Sequence, residues 1–184
     1  MFYEMEIAGL TRQLELFPVS DGLCIAAFIL FGDVEITEAC AKALLEKAPA
    51  HDIILTAEAK SIPLAYEMAR QEGHNDYVIA RKGIKVYMKD VISTEVDSIT
   101  TQHTQALYLG RTEIQKIKGK RVLIVYDVIS TGASLASLEQ LVQKAGGIIV
   151  GKMAVLAEGD AMDRPDIIAL DRLPLFNTDG TVKD

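Results

Sequence analysis

At 184 residues, 49% hydrophobic and 24% charged, the chain has the composition of one ordinary soluble domain with a sizeable core. A formal net charge of −7 excludes a broad basic surface, and with it non-specific nucleic-acid binding. An anionic small molecule remains compatible with that charge, because a few local donors or a metal ion override the global sign.

Cys24 and Cys40 form no CxxC pair, so buried thiols in a reducing cytoplasm are expected rather than a disulfide scaffold. The N-terminus lacks the basic region, apolar core and small-residue cleavage site of a leader. Leu23–Phe31 is strongly apolar but too short to span a bilayer, so no membrane partner is expected.

In chain order, Leu23–Leu30 reads as a strand or buried apolar segment. Ile36–Ala48 has helical spacing, with Ile36, Ala39, Cys40, Ala43 and Leu44 along one face. His51–Thr56 contains a short apolar run of the kind buried on both faces of a sheet. Ser61 is placed to cap the next helix, Pro63 suits its first turn and Gly73 its end. Asp76–Ala80 reads as a strand leading into Arg81-Lys82-Gly83. Lys89–Gln105 is polar and rich in Ser and Thr, suited to a β-ribbon or a mobile loop. Arg121–Tyr126 is the clearest strand and Ser134–Ala145 the clearest helix, closed by Gly146-Gly147. Ile148–Leu156 returns as a strand.

Strands alternating with helices predict an α/β fold, a mostly parallel sheet with helices on both faces, in a single domain spanning 1–184. Ligands on such sheets bind beyond the carboxyl ends of the strands. That singles out Thr56–Ser61, Arg81–Lys85 and Asp127–Ser134, each with suggestive chemistry.

The third segment is the most specific. Asp127 is expected to leave the sheet, Ser130, Thr131 and Ser134 supply hydroxyls, and Gly132 and Ala133 let the backbone approach an anion. Unpaired N–H groups and the positive end of the helix dipole meet there, an arrangement suited to a phosphate. A Walker loop is excluded by the missing Lys, and a dinucleotide fingerprint by the missing glycines. A capped strand-to-helix turn with no ligand would share the pattern.

Val122–Ser134 resembles the PRPP (5-phosphoribosyl-1-pyrophosphate) signature of type I phosphoribosyltransferases: an apolar strand, acidic residues, then a Thr-Gly loop opening a helix. The resemblance implies that fold, with a small hood built from about residues 1–35 and 157–184. It implies that Ser130–Ser134 hold the 5′-phosphate, while Tyr126 and Asp127 stand at the ribose. Asp127 would join the Mg2+ shell through water. The family usually has two adjacent acids, and Tyr126 occupies the first position here. A phenol can bond a ribose hydroxyl but is no match for a carboxylate as a metal partner.

Thr56-Ala-Glu-Ala-Lys60 resembles the Thr-x-Glu-Ala/Ser segment of xanthine and adenine phosphoribosyltransferases. It implies a pyrophosphate loop of Glu58, Ala59 and Lys60, joined by Arg81, Lys82 and Lys85. A solvated Glu-Lys pair and a basic surface turn are the plain alternatives. Ser98-Ile-Thr-Thr-Gln102 is similar to the catalytic loop of xanthine phosphoribosyltransferases. The implied lid contains Ser98, Thr100, Thr101, Gln102 and His103. Phe31-Gly-Asp-Val34 resembles a purine-stacking segment of the adenine enzymes, and Ala157-Glu158-Gly159 lies where adenine and xanthine enzymes close over the base; the implied base contacts are Phe31, Ile129 and Glu158.

The implied activity is transfer of a 5-phosphoribosyl group from PRPP to a purine base, adenine or xanthine foremost, with Mg2+ as cofactor. A non-catalytic PRPP or nucleotide sensor on the same fold is the alternative. A cytoplasmic homodimer is the implied setting.

Overall fold

Alternating burial shapes the first part of the chain. The computed structural model describes residues 1–96 and 105–183. Strands β1 (Phe2–Ile7), β2 (Leu10–Ser20) and β3 (Leu23–Ala27) form an antiparallel sheet in the order β1-β2-β3. Met5, Ile7, Leu14 and Leu16 turn inward, while their neighbours in each strand face solvent. Ala8 and Gly9 both take positive φ, the geometry a two-residue hairpin turn requires. Leu23–Ala27 therefore is a strand, but of this separate sheet and not of the parallel one.

Helix α1 (Val34–Leu45) starts at Asp33, whose side chain accepts the Ile36 N–H at 3.1 Å. Then come β4 (Ile53–Ala57), α2 (Ile62–Gln71) and β5 (Val78–Ala80). An antiparallel ribbon, β6 (Ile92–Val96) with β7 (Gln105–Leu109), leads to α3 (Arg111–Ile117). The chain continues through β8 (Arg121–Ile129), α4 (Ala133–Ala145), β9 (Ile148–Glu158), a 3-10 turn at Gly159–Asp163 and β10 (Ile168–Leu173).

The central sheet has the order β10-β9-β8-β4-β5, and every pairing is parallel. Its strands alternate between two cores. Ile54, Leu123 and Val125 pack with α1, α2 and the amino-terminal sheet. Leu55, Ile124 and Tyr126 pack with α3 and α4 on the other face. Helices on both faces explain why β4 is buried at all of its positions. The expected α/β architecture is the observed one.

The chain ends meet. Cys24 N–H donates to the Phe176 carbonyl at 2.8 Å, and Phe176 N–H donates to the Cys24 carbonyl at 3.0 Å. No helix among the described residues is long and apolar enough to cross a membrane.

Candidate functional site

β8, β4 and β5 are neighbours, so the segments following their carboxyl ends lie side by side. One departure from the sequence reading shapes the site. Asp127 does not leave the sheet: β8 pairs with β9 as far as Ile129↔Ala157. It parts from β4 instead, with which its last pair is Leu55↔Ile124. Side chains replace the missing ladder. Thr56 Oγ1 donates to the Val125 carbonyl at 2.8 Å, so the hydroxyl of Ser61, 2.7 Å away, donates to Thr56. Ser61 consequently makes no side-chain cap on α2, contrary to the sequence expectation, because its hydroxyl ties the Glu58–Lys60 loop to β8.

A cleft of about 240 Å³ opens at this split. Ala59 and Lys60 line one side, and residues from Tyr126 to Gly132, with Ser134 and Leu135, line the other. Gly132 precedes α4 with φ +81°, a left-handed conformation that glycine adopts without steric cost. Having no side chain, Gly132 leaves the start of α4 without a side-chain cap of its own. Ala133 N–H reaches the Thr131 hydroxyl at 3.5 Å, and a helix start of this kind suits an anion.

The polar centre is formed by Asp127, Lys60, Glu158 and Tyr126. Asp127 is 4% exposed, and its Oδ2 lies 3.2 Å from Lys60 Nζ without hydrogen-bond alignment. Lys60 Nζ also donates to the Phe28 carbonyl at 2.9 Å. The Tyr126 phenol is buried and finds no partner among the described residues. Burial and the Asp127 carboxylate hold that phenol far above its ordinary pKa, so it presents an O–H. Pleating sends Tyr126 and Asp127 to opposite faces of β8, yet both line the cleft at the end of the strand.

Burial pushes the Glu158 carboxyl above its ordinary value, opposed by the Ser130 hydroxyl and the Lys60 charge. The folded protein therefore holds this proton more tightly than the unfolded chain. The associated stability is complete below the unfolded value of 4.5 and is lost as pH rises through the higher folded one. Glu158→Gln is expected to raise the melting temperature near pH 7 and to leave it unchanged near pH 4. An equal shift at both pH values would rule out the burial penalty as its cause.

The cations are distributed unevenly. Glu58 is already engaged: its carboxylate accepts Lys82 N–H at 2.8 Å and pairs with Arg81 at 3.0 Å. Those contacts lower the Glu58 pKa, the Lys82 amide contributing first. Glu58 thus positions the cationic turn. Lys82 and Lys85 are exposed to solvent. Of the base candidates, Ile129 lines the cleft, whereas Phe31 is 57% exposed and, like Glu158, is not part of its wall. Ser98, Thr100, Thr101, Gln102 and His103 lie outside the described residues.

Arg164 was absent from the sequence reading. A Cβ on Gly132 would fall 2.5 Å from Arg164 Nη1, so this guanidinium lies against the glycine that opens α4. Asp166 orients it, accepting from Nε at 3.0 Å and Nη2 at 2.7 Å. Lys152 supports Asp166 in turn and donates to Glu139 at 2.8 Å. The available signal was Asp163-Arg-Pro-Asp166, a cation shortly after Glu158, but only the fold shows what it approaches.

Residues 34–174 match the family model described as "Phosphoribosyl transferase domain". The hypoxanthine/guanine phosphoribosyltransferase of Methanococcus voltae is 30% identical over 168 residues, 90% of this chain and 82% of that one. A xanthine phosphoribosyltransferase of an Exiguobacterium species is 30% identical over 118 residues, 64% of this chain and 60% of that one. In fold, the crystal structure of adenine phosphoribosyltransferase from Thermoanaerobacter pseudethanolicus superposes with a TM-score of 0.71. That likeness spans 87% of this chain and 95% of that one at 22% identity.

Proposed function

This chain belongs to the phosphoribosyl transferase family, and on that premise we propose that it transfers the 5-phosphoribosyl group of PRPP to a purine base. The observation that carries the reading is the cleft between Lys60 and the Ser130–Ser134 loop, with Asp127 buried at its centre. In this reading the 5′-phosphate sits on the first-turn amides of α4 and the hydroxyls of Ser130, Thr131 and Ser134. The ribose hydroxyls meet Asp127 and the Tyr126 phenol, whose lack of a partner among the described residues suits a ligand oxygen.

Pyrophosphate leaves as the anomeric carbon becomes cationic, and a ring nitrogen of the base takes its place. Lys60, Arg81, Lys82 and Lys85 are assigned to the charge that develops on the leaving oxygens. Lys60 exchanges its Asp127 contact for pyrophosphate in this scheme. Phe31, Ile129 and Glu158 are assigned to the base.

Asp127 Oδ2, buried and without a hydrogen bond among the described residues, fits a water of a Mg2+ ion carried in by PRPP. Asp127 would hold such an ion through that water, and the ion would supply positive charge to the diphosphate. The homodimer and the cytoplasmic setting enter this reading through the family resemblance.

The test is a panel of purines and pyrimidines incubated with PRPP and Mg2+, with monophosphate products read by mass spectrometry. Steady turnover with at least one purine is expected. Turnover with pyrimidines alone would refute the purine assignment. Tight PRPP binding with no turnover would favour a sensor, the reading that Tyr126 at the position of a family acid supports.

A further inference from the structure

At the other end of the sheet, where β4 begins and α2 ends, three side chains converge that phosphoribosyl transfer does not use. His51 Nε2 lies 2.9 Å from Glu72 Oε2, and His74 Nδ1 lies 3.6 Å from the same oxygen. One atom from each of the three residues falls within 4.8 Å of the others. The His51 side chain is only 2% exposed, yet its Nε2 makes no aligned hydrogen bond among the described residues. His74 Nδ1 is likewise buried and without a partner among them.

The His51 tautomer follows from its other nitrogen. Nδ1 lies 2.9 Å from the Pro49 carbonyl, which can only accept, so Nδ1 carries the hydrogen. Nε2 is then the ring nitrogen that faces Glu72 and is left to a metal ion. A carbonyl behind the ring is the outer partner usual for a metal-bound imidazole. The two rings meet edge to face, 5.9 Å apart at 81°, and so converge without stacking.

We propose that His51 Nε2, Glu72 Oε2 and His74 Nδ1 bind one divalent transition-metal ion, with Zn2+ as the best match. Bonds of about 2.0–2.2 Å in tetrahedral geometry place ligand atoms roughly 3.3–3.6 Å apart. Two of the three separations, 2.9 and 3.6 Å, lie near that span and the third is within 4.8 Å, so side-chain rotation that closes the third brings the set together. Two imidazoles and one carboxylate select a borderline ion over Mg2+, which takes oxygen ligands.

The backbone is fixed in advance. Glu72 N–H donates to Met68 at 3.1 Å, Gly73 N–H to Arg70 at 3.1 Å and His74 N–H to Ala69 at 2.9 Å. Gly73 takes φ +73°, which reverses the chain and brings His74 back beside Glu72. Access comes from solvent: Glu72 and His74 are 28% and 34% exposed, and His74 borders an open cleft. The ion keeps a fourth position for water and joins the segment before β4 to the end of α2.

The full chain, stripped with a chelator, is titrated with Zn2+ against a chromophoric competitor without PRPP. One ion per chain is expected, with a melting temperature that rises with Zn2+ concentration. X-ray absorption should report two imidazoles. His74→Ala and Glu72→Gln, both at partly exposed positions, should each weaken binding beyond the roughly 10–100-fold that loss of an outer partner costs. PRPP turnover by His74→Ala should match that of the unaltered protein, and Asp127→Asn should bind Zn2+ normally. Absence of micromolar or tighter binding, or binding that survives both substitutions, would overturn the site. Loss of binding in Asp127→Asn would place the ion at the transferase cleft and also overturn it.

Discussion

Gly132→Val is expected to weaken PRPP binding by at least roughly 100-fold while the protein still folds. Hydrogen bonds to a charged partner contribute about 1.5–3 kcal/mol each, and displacement of two loop donors reaches that loss. Two effects act at this position. A Cβ would meet Arg164 Nη1 at 2.5 Å, but that atom ends a flexible side chain and can move aside. The φ of +81° cannot relax without moving the loop, and a β-branched residue tolerates it poorly. The left-handed backbone costs about 1–2 kcal/mol, a melting shift of a few degrees for a chain of this length. Gly132→Ala carries the backbone strain without the branch and should fall between. Calorimetry that finds unchanged PRPP affinity in folded Gly132→Val would dismiss the phosphate-loop assignment.

Tyr126→Asp is expected to destabilise the protein by about 3–5 kcal/mol and to bring no gain in turnover. From sequence alone a second carboxylate beside Asp127 looks favourable, since it would restore the acid pair usual in the family. The structure reverses the sign. Tyr126 is 6% exposed and packs with Ile124, Leu135 and Leu138, so an aspartate there loses an aromatic ring and buries a charge next to Asp127. Tyr126→Phe separates packing from polarity. It should keep or slightly raise the melting temperature, because it removes a phenol that has no partner among the described residues. It should also weaken PRPP binding by about three- to tenfold if the ribose takes that phenol. Tyr126→Asp melting like the unaltered protein would show that position 126 is not a core position. Equal PRPP affinity in Tyr126→Phe would remove the phenol from the ribose site.

The turn proposed to hold the phosphate was legible because its parts are contiguous: strand, hydroxyls, glycine and helix start lie within Val122–Ser134. The ends were harder for opposite reasons. The amino-terminal meander carried its signal in the alternation of Met5, Ile7, Leu14 and Leu16 around Ala8-Gly9, which the sequence reading passed over. Strand β10 had little to show, since Asp171-Arg172 interrupts Ile168–Leu173 and only Leu173 in it is buried. Helix α3 is a seven-residue element opened by Gly110, shorter than periodicity can resolve.

By itself the sequence determined the parallel α/β sheet, the strand-to-helix turn at Gly132 and the three segments that follow the carboxyl ends of neighbouring strands. Periodicity and turn chemistry act between near neighbours, and those features need nothing else. Tertiary structure decided the rest. It parted β8 from β4 so that Asp127 faces Lys60. It set Arg164 against Gly132 and committed Glu58 to the Arg81–Lys82 turn. It also gathered His51, Glu72 and His74 at the far end of the sheet. Each of these contacts joins residues distant in sequence or turned toward one point by a chain reversal. Their energies depend on distance and burial, which a linear pattern does not carry.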